Sequence, residues 1–275
     1  MAEPHLKIAA TPKLSNATML LALAGWMDGG LVSTGTVKGL MEGRTLTEIA
    51  HIDPDPFYIY NFPGSMEVAA LFRPTVKLDD GMILEFDLPT NTFHADTESN
   101  LVFFIGKEPN LRWQAFADCI FDVAAALGVK RIIFMGSFGG TVPHTREPRM
   151  YASVSHPHLR TLLKEQGLRF SDYEGPASFA SMLLAQSADR GIEMFNLVSE
   201  IPGYLEGMNP LSIEVVMRRL SSLLNVQVDM DALRRASDEW EVQVSQAVEK
   251  DQELAETVRK LEEQYDNELI GNEET

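Results

Sequence analysis

Short apolar segments that end at glycine alternate with helix-like segments along most of the chain. The runs 18–25, 101–106 and 131–136 are almost wholly apolar, which is typical of strands covered on both faces of a sheet. A further strand is predicted at 194–198. Helical patterns are predicted from about residue 31 and over 110–127, 157–166, 176–190 and 210–224. Strands alternating with helices predict a three-layer α/β/α fold with a mainly parallel sheet.

Residues 46–88 do not follow this alternation. They are rich in Asp, Pro and aromatic residues. We expect this region to form extra, partly antiparallel strands and loops at one edge of the sheet.

The end of the chain has a different pattern. From Leu233 to Tyr265, apolar residues recur at alternating steps of four and three, the spacing of a helix seam that Asp251 interrupts. Residues 231–275 hold 14 Asp and Glu against 5 Lys and Arg. We expect one or two amphipathic helices packed against the body or a sister subunit; a free coiled coil that recruits another protein is the alternative. The predicted division is an α/β domain over 1–225 and an acidic helical tail over 226–275.

Charge and composition exclude several classes of function. A net charge of −17 on 275 residues disfavours binding to nucleic acid or anionic lipid, because both need a basic patch. No apolar run approaches the ~18 residues that span a bilayer, so we expect a cytoplasmic protein. The single cysteine, Cys119, excludes an internal disulfide and favours a buried, inert thiol.

Ligands of open parallel sheets gather at the carboxyl ends of the strands, which makes four loops candidate sites. In the first, 25–30, Trp26 and Asp28 are candidate contacts, although capping of the following helix is the favoured role for Asp28. The second loop, 106–113, contains Lys107, Glu108 and Arg112. The two cations can hold a carboxylate or phosphate, or can pair internally with a nearby acid.

The third loop, 136–148, has three glycines together with Ser137, His144 and Arg146. A Ser137 nucleophile with His144 as its base is disfavoured, because the glycine spacing is wrong for a nucleophile elbow. The fourth loop, 200–210, adds Glu200 and Tyr204 as candidate contacts. We expect no metal site, since the sequence lacks a zinc-ligand motif, and no cofactor.

In these loops the chain resembles the proteasome assembly chaperone 2 family, in its bacterial branch. Five motifs carry the resemblance between about residues 17 and 225: Gly25-Trp26 with Asp28-Gly29; Gly106, Glu108-Pro109 and Arg112-Trp113; Pro143-His144-Thr145-Arg146; Tyr173 with Gly175-Pro176; and Ile201-Pro202 with Tyr204. The resemblance implies a fold like that of purine nucleoside phosphorylases and a homo-oligomer, for which a trimer is one arrangement. It does not imply phosphorylase activity, because fold alone does not fix chemistry.

Two main functions are consistent with this sequence. The first is a protein-binding or assembly factor that acts as a homo-oligomer and meets a protein partner through its C-terminal helices. The alternative is a small-molecule-binding protein or a hydrolase- or phosphorylase-like enzyme, in which Arg112 and Arg146 hold an anion and His144 or Glu200 transfers a proton. A purely structural oligomer is a third hypothesis.

Overall fold

A nine-stranded mixed sheet forms the middle layer of the protein in the computed structural model, which describes residues 5–273. The strands, in chain order, are β1 (Leu6–Ile8), β2 (Thr18–Ala24), β3 (Thr47–Ile52), β4 (Thr75–Asp79), β5 (Met82–Asp87), β6 (Thr92–Asp96), β7 (Leu101–Lys107), β8 (Arg131–Gly140), β9 (Met150–Val154), β10 (Arg169–Phe170) and β11 (Glu193–Pro202). All except β4 and β5 belong to this sheet, in the order β1-β3-β6-β7-β2-β8-β11-β9-β10.

The middle of the sheet is parallel and its flanks are mostly antiparallel. Strands β7, β2, β8 and β11 run in one direction, and β6, β3 and β1 then pair antiparallel on one side. On the other side β9 is antiparallel to β11, and β10 is parallel to β9. The α/β prediction is confirmed. Strand β3 is antiparallel to both of its neighbours, as expected for its region, and lies next to the edge strand β1.

Helices cover both faces of the sheet. They are α1 (Val32–Met41), α2 (Met66–Ala70), α3 (Trp113–Ala126), α4 (Pro157–Glu165), α5 (Phe179–Ser187), α6 (Pro210–Leu224), α7 (Asp231–Val248) and α8 (Gln252–Glu273). Alternate residues of β2 enter two separate cores: Met19 and Leu21 pack with α3 and α5, whereas Leu20 and Ala22 pack with α1 and α6. This double burial explains why the central strands are continuously apolar.

Residues 61–88 form a projecting unit that we call the hairpin arm. It consists of α2 and the antiparallel pair β4–β5, which makes a two-stranded sheet of its own. Every residue of β4 and β5 is exposed to solvent. The sequence indicated extra strands here, but not that two of them would form a separate sheet.

The acidic end of the chain forms α7 and α8, which we call the C-terminal helices. Along the predicted seam Val258 and Tyr265 are buried, and Trp240 is half-buried. The seam breaks where expected: α7 ends at Val248, and the Asp251 carboxylate accepts a hydrogen bond from the Leu254 backbone N–H at 3.1 Å in the first turn of α8. Residues 274 and 275 of the predicted tail lie outside the described residues.

Candidate functional site

The first candidate loop is held by backbone-directed hydrogen bonds. Asp28 is buried, and its carboxylate accepts hydrogen bonds from the backbone N–H of Thr34 at 3.0 Å and from the Thr34 hydroxyl at 2.8 Å, in the first turn of α1. Burial raises the pKa of this carboxyl, while the bonds from Thr34 act in the opposite direction. The contacts match the helix-capping alternative for Asp28.

Glu108 joins the first and second loops to α5. One carboxylate oxygen accepts a hydrogen bond from the Trp26 backbone N–H at 3.1 Å, and the other accepts from the Phe179 N–H at 2.8 Å, where α5 begins. Gly25 has φ 137°, and a Cβ there would lie 3.1 Å from that of Glu108. Glycine therefore permits both the backbone conformation and this close approach.

Lys107 and Arg112 belong to the same loop but do not join the other candidates. The Lys107 ammonium lies 6.0 Å from the centroid of the Tyr58 ring, and Arg112 has a guanidinium nitrogen 3.4 Å from His5 Nε2. Arg112 itself adopts φ 54° immediately before α3. The structure therefore separates these two cations from Arg146 and Glu200.

His144 and Tyr204 are brought together beneath α7. The Tyr204 hydroxyl oxygen accepts the His144 backbone N–H at 2.9 Å and lies 2.7 Å from the imidazole Nδ1, to which it can donate its own proton. The opposite ring nitrogen, Nε2, is 3.0 Å from the Ser245 hydroxyl of α7. Burial lowers the pKa of His144 and favours the neutral ring, so these bonds fasten α7 to the loop.

Ser137 and His144 do not form a nucleophile–base pair. The Ser137 side chain is fully buried, and its hydroxyl donates to the Gly29 carbonyl at 2.6 Å. The His144 ring is engaged by Tyr204 and Ser245 instead. Both side chains are therefore used in hydrogen bonds that hold neighbouring segments of the chain together.

Arg146 pairs with α8. Its guanidinium makes two parallel hydrogen bonds to the Asp266 carboxylate, each 2.8 Å long, and lies 3.8 Å from Glu262. The neighbouring Thr145 hydroxyl donates to Glu262. The bonds from Arg146 lower the pKa of Asp266. The anion held by Arg146 in this structure is thus supplied by the chain itself.

Glu200 is buried against Arg149, a residue that sequence reasoning did not identify. One Glu200 oxygen accepts the backbone N–H groups of Thr141 and Val142 at 2.6 and 3.1 Å, and the other pairs with Arg149 at 3.1 Å. Arg149 also pairs with Glu268 of α8 at 2.9 Å.

The ring of Tyr265 supports the same guanidinium, with its centroid 4.5 Å away. We call His144, Arg146, Arg149, Glu200 and Tyr204, with their partners on α7 and α8, the tail dock. A signal for it was present in the sequence: Glu262 and Asp266 are one helical turn apart beside the apolar seam, and Arg146 and Arg149 offer matching positive charge.

An aromatic-walled cavity of about 580 Å³ lies between β8, β11 and α5. We call it the aromatic cavity; its lining includes Trp26, Phe138, Tyr151, Tyr173, Leu184 and Asn196. Of the nine candidate residues only Trp26 lines it, but Glu108 positions that residue. Sequence reasoning did not single out Asn196, because one polar residue within an apolar strand is not distinctive.

The described residues, 5–273, contain no cluster of three or more His, Cys, Asp or Glu side chains suited to hold a metal ion. Within the same range, none of the helices has the length and apolarity required to cross a membrane. Cys119 is buried, and burial beside Asp122 and Asp118 raises the pKa of its thiol to about 11. This agrees with an inert thiol.

The fold and these loops define a three-layer α/β protein whose strand-end loops are built largely from structural contacts. The sequence profile of the PAC2 family, the proteasome assembly chaperone family indicated by the motifs, matches residues 22–248. The chain therefore belongs to the PAC2 family. The match passes the predicted boundary at 225 and includes α7, so the division at that residue stays a proposal.

Solved structures share this fold. A Mycobacterium tuberculosis protein of unknown function, Rv2714, aligns with a TM-score of 0.85 at 22% identity, covering 100% of this chain and 92% of that chain. A protein of unknown function from Corynebacterium glutamicum ATCC 13032 aligns with a TM-score of 0.82 at 22% identity, covering 97% and 98%. A search of curated proteins gave no match.

The M. tuberculosis proteasome-assembly chaperone homologue Rv2125 is also similar, with a TM-score of 0.74 and 26% identity. The alignment uses 99% of that protein but covers 88% of this chain. Part of this chain therefore has no counterpart in the alignment with Rv2125. The alignment with Rv2714 extends over the full length of this chain.

Proposed function

We propose that this protein is a protein-binding assembly factor that acts as a homo-oligomer through its hairpin arm. The observation that carries the proposal is the apolar face of β4–β5. The cross-strand pairs Val76–Phe86 and Leu78–Ile83 form this face, and each of the four side chains is 50–65% exposed. Exposed apolar surfaces of this kind mark interaction sites in soluble proteins.

The other face of the hairpin is mainly polar, with Met82 as an exposed apolar residue opposite Asp79. Lys77 opposes Glu85 there, with 3.7 Å between the ammonium and the carboxylate. The arm is therefore amphipathic, although it has no apolar core of its own to cover. An isolated two-stranded sheet is marginally stable in water, so the arm gains most if its apolar face is buried against another molecule.

A second copy of the chain is the proposed occupant. Any two copies offer each other the same apolar face, and closed homo-oligomers are the commonest assemblies of soluble proteins. A trimer is one arrangement that closes. Membership of the PAC2 family and similarity to Rv2125, a structure described as a proteasome-assembly chaperone homologue, both support an assembly role.

The outward surface of the C-terminal helices is the proposed contact for a different protein partner. It is exposed and strongly acidic, with Asp238, Glu239, Glu249, Glu253 and Glu256 among its side chains. A basic surface is the complement such a face requires. This contact would leave the buried seam of α7 and α8 undisturbed.

The enzyme alternative has weaker support at the loops first considered for it. Arg146 and Glu200 are occupied by internal ion pairs, and His144 is hydrogen-bonded on both ring nitrogens. Arg112 lies elsewhere, beside His5. An anion at Arg146 would have to compete with the Asp266 carboxylate of α8 for the guanidinium.

Sedimentation of the full chain tests the oligomer proposal. We expect the wild-type protein to sediment as a closed oligomer, and the variant Leu78→Ser/Ile83→Ser/Phe86→Ser as a monomer with an unchanged circular dichroism spectrum. Lys77→Gln, on the polar face of the same strand, is the matched control and should sediment as wild type. A wild-type monomer, or an oligomer that survives the triple substitution, would contradict the proposed role of the arm.

A further inference from the structure

The aromatic cavity has a buried polar side chain, Asn196, next to apolar ones in its lining. Phe134 of β8 and Val198 of β11 line it together with Asn196, which is 5% exposed. The Asn196 amide nitrogen donates to the Ser153 hydroxyl at 3.2 Å. Its Oδ1 is shielded from water and has no hydrogen-bond partner among the described residues. A buried amide oxygen without a partner destabilises the fold. Because Asn196 lines the cavity, a hydrogen-bond donor from outside the chain would supply the missing bond.

The mouth of the cavity has two large aromatic side chains that are mostly exposed. Trp26 is 66% exposed and Tyr173 is 68% exposed, although both line the cavity. Neither position is loose: the Trp26 backbone is bound to Glu108, and the Tyr173 hydroxyl donates to the Pro176 carbonyl at 3.2 Å. The Tyr173 ring and the backbone that carries the Trp26 ring are thus held, and both rings offer faces on which a flat molecule can stack.

Two of the five family motifs line this cavity, and a third supports it. The Gly25-Trp26 turn supplies one aromatic side chain, and the Tyr173-x-Gly175-Pro176 turn supplies the other. Glu108 of the second motif ties the first turn to α5. A side chain at Gly175 would collide with the Tyr173 hydroxyl, so glycine is required for that ring to fold back over its own turn. The hairpin arm and tail dock account for none of these features.

We propose that the aromatic cavity is a binding site for a small, flat aromatic molecule with a ring N–H or hydroxyl group. The ring would stack on Trp26 and Tyr173, and the donor would pair with the Asn196 amide after rotation about its Cβ–Cγ bond. The volume suits a small ligand, since such sites span roughly 300–1,000 Å³. Asp172 is the charged residue in the lining, so a neutral or cationic ring fits better than an anion.

Indole and benzothiophene are a matched pair of probes for this site. They have nearly the same shape, but only indole carries an N–H donor. The chain has three tryptophans, so each probe can be titrated against the three indole N–H signals in a ¹H–¹⁵N spectrum. We expect the Trp26 signal to shift and those of Trp113 and Trp240 to stay in place. Indole should bind about tenfold more tightly than benzothiophene, because only indole satisfies the buried amide.

Two variants separate the proposed contributions. Asn196→Leu keeps the branched shape of the side chain, although leucine is larger, and removes the amide. This variant should bring the indole-to-benzothiophene affinity ratio to about one. Tyr173→Ala, at an exposed position, should weaken both probes by about two- to tenfold and leave the ratio unchanged. A Trp26 signal that does not move with either probe, equal affinities in the wild-type protein, or a ratio unaffected by Asn196→Leu would overturn the proposal.

Discussion

The C-terminal helices and the hairpin arm are both amphipathic, but the apolar face of the helices is buried and that of the arm is exposed. Val258 and Tyr265 of α8 are buried against the same chain, and the acidic residues beside them pair with Arg146 and Arg149. The apolar face of β4–β5 remains open, with Leu78 and Ile83 more than half exposed.

Charge complementarity distinguishes these two surfaces. In the tail dock Arg146 pairs with Asp266 and Arg149 with Glu268, so the position of α8 on its own chain is defined by ion pairs. The open face of the arm has apolar residues in both cross-strand pairs and its ion pair on the reverse side. The first surface is paired within the chain. The second is open to solvent and is the surface proposed to bind another copy of the chain.

The largest expected effect follows from breaking the tail dock at Arg149. Its side chain is 6% exposed and pairs with Glu200, which is 5% exposed. Arg149→Met leaves the Glu200 carboxylate buried without its cation and also cuts the link to Glu268. We expect a loss of about 3–5 kcal/mol in the free energy of unfolding, measured by urea denaturation.

Arg169→Met is the matched control for this change. Arg169 is 40% exposed and approaches the same Glu268 at 3.8 Å, so its loss should cost about 1 kcal/mol or less. If both variants lost the same free energy of unfolding, the stability would depend on the overall positive charge near α8 and not on the buried Arg149–Glu200 pair.

Much of the layered fold could be predicted because strand burial and helix periodicity are local signals. The segments 18–25, 101–106 and 210–224 correspond to β2, β7 and α6 with little change at their ends. The short β9 was not predicted, since its five residues lack a long apolar run and gain their place by pairing with β11. The open face of the arm was also missed, because exposure depends on what lies nearby in space.

The candidate loops were expected to share one edge, and the structure divides them into two sites. Strands β8 and β11 continue about three residues past the level at which β2 and β7 end, which is roughly 10 Å at the rise of a strand. The loops with His144 and Glu200 therefore contact the C-terminal helices, whereas Trp26 lines the aromatic cavity and Glu108 holds its backbone. Sequence indicated which residues follow strands, but not where each strand would stop.

A smaller effect is expected from pH at His144. Burial lowers the pKa of the folded imidazole, so below the ordinary value of about 6.5 the unfolded chain binds more protons than the folded one. Stability should thus fall as pH drops from about 7 through that range. Urea titrations at a series of pH values should show this loss in the wild-type protein and a flatter profile in His144→Gln.

His158→Gln is the control for that profile, since its side chain is 60% exposed. It should keep the wild-type loss of stability between neutral and mildly acidic pH. The lowered pKa of Asp266, which Arg146 causes, adds its own loss only at more acidic pH, below its ordinary value of about 3.9. An unchanged pH profile in His144→Gln would mean that the buried imidazole does not control docking of α7.

The smallest effect on the dilute chain is expected at the arm. Leu78, Ile83 and Phe86 are already 57–65% exposed, so replacing all three by serine removes little burial from the monomer. The free energy of unfolding at low concentration should change by about 0.5 kcal/mol or less.

In the wild-type protein the melting temperature should rise with concentration, because assembly stabilises the folded state by mass action. The triple variant should lose that dependence. A large loss of stability at low concentration would instead show that the arm is packed on its own chain, and the contrast with the C-terminal helices would fail.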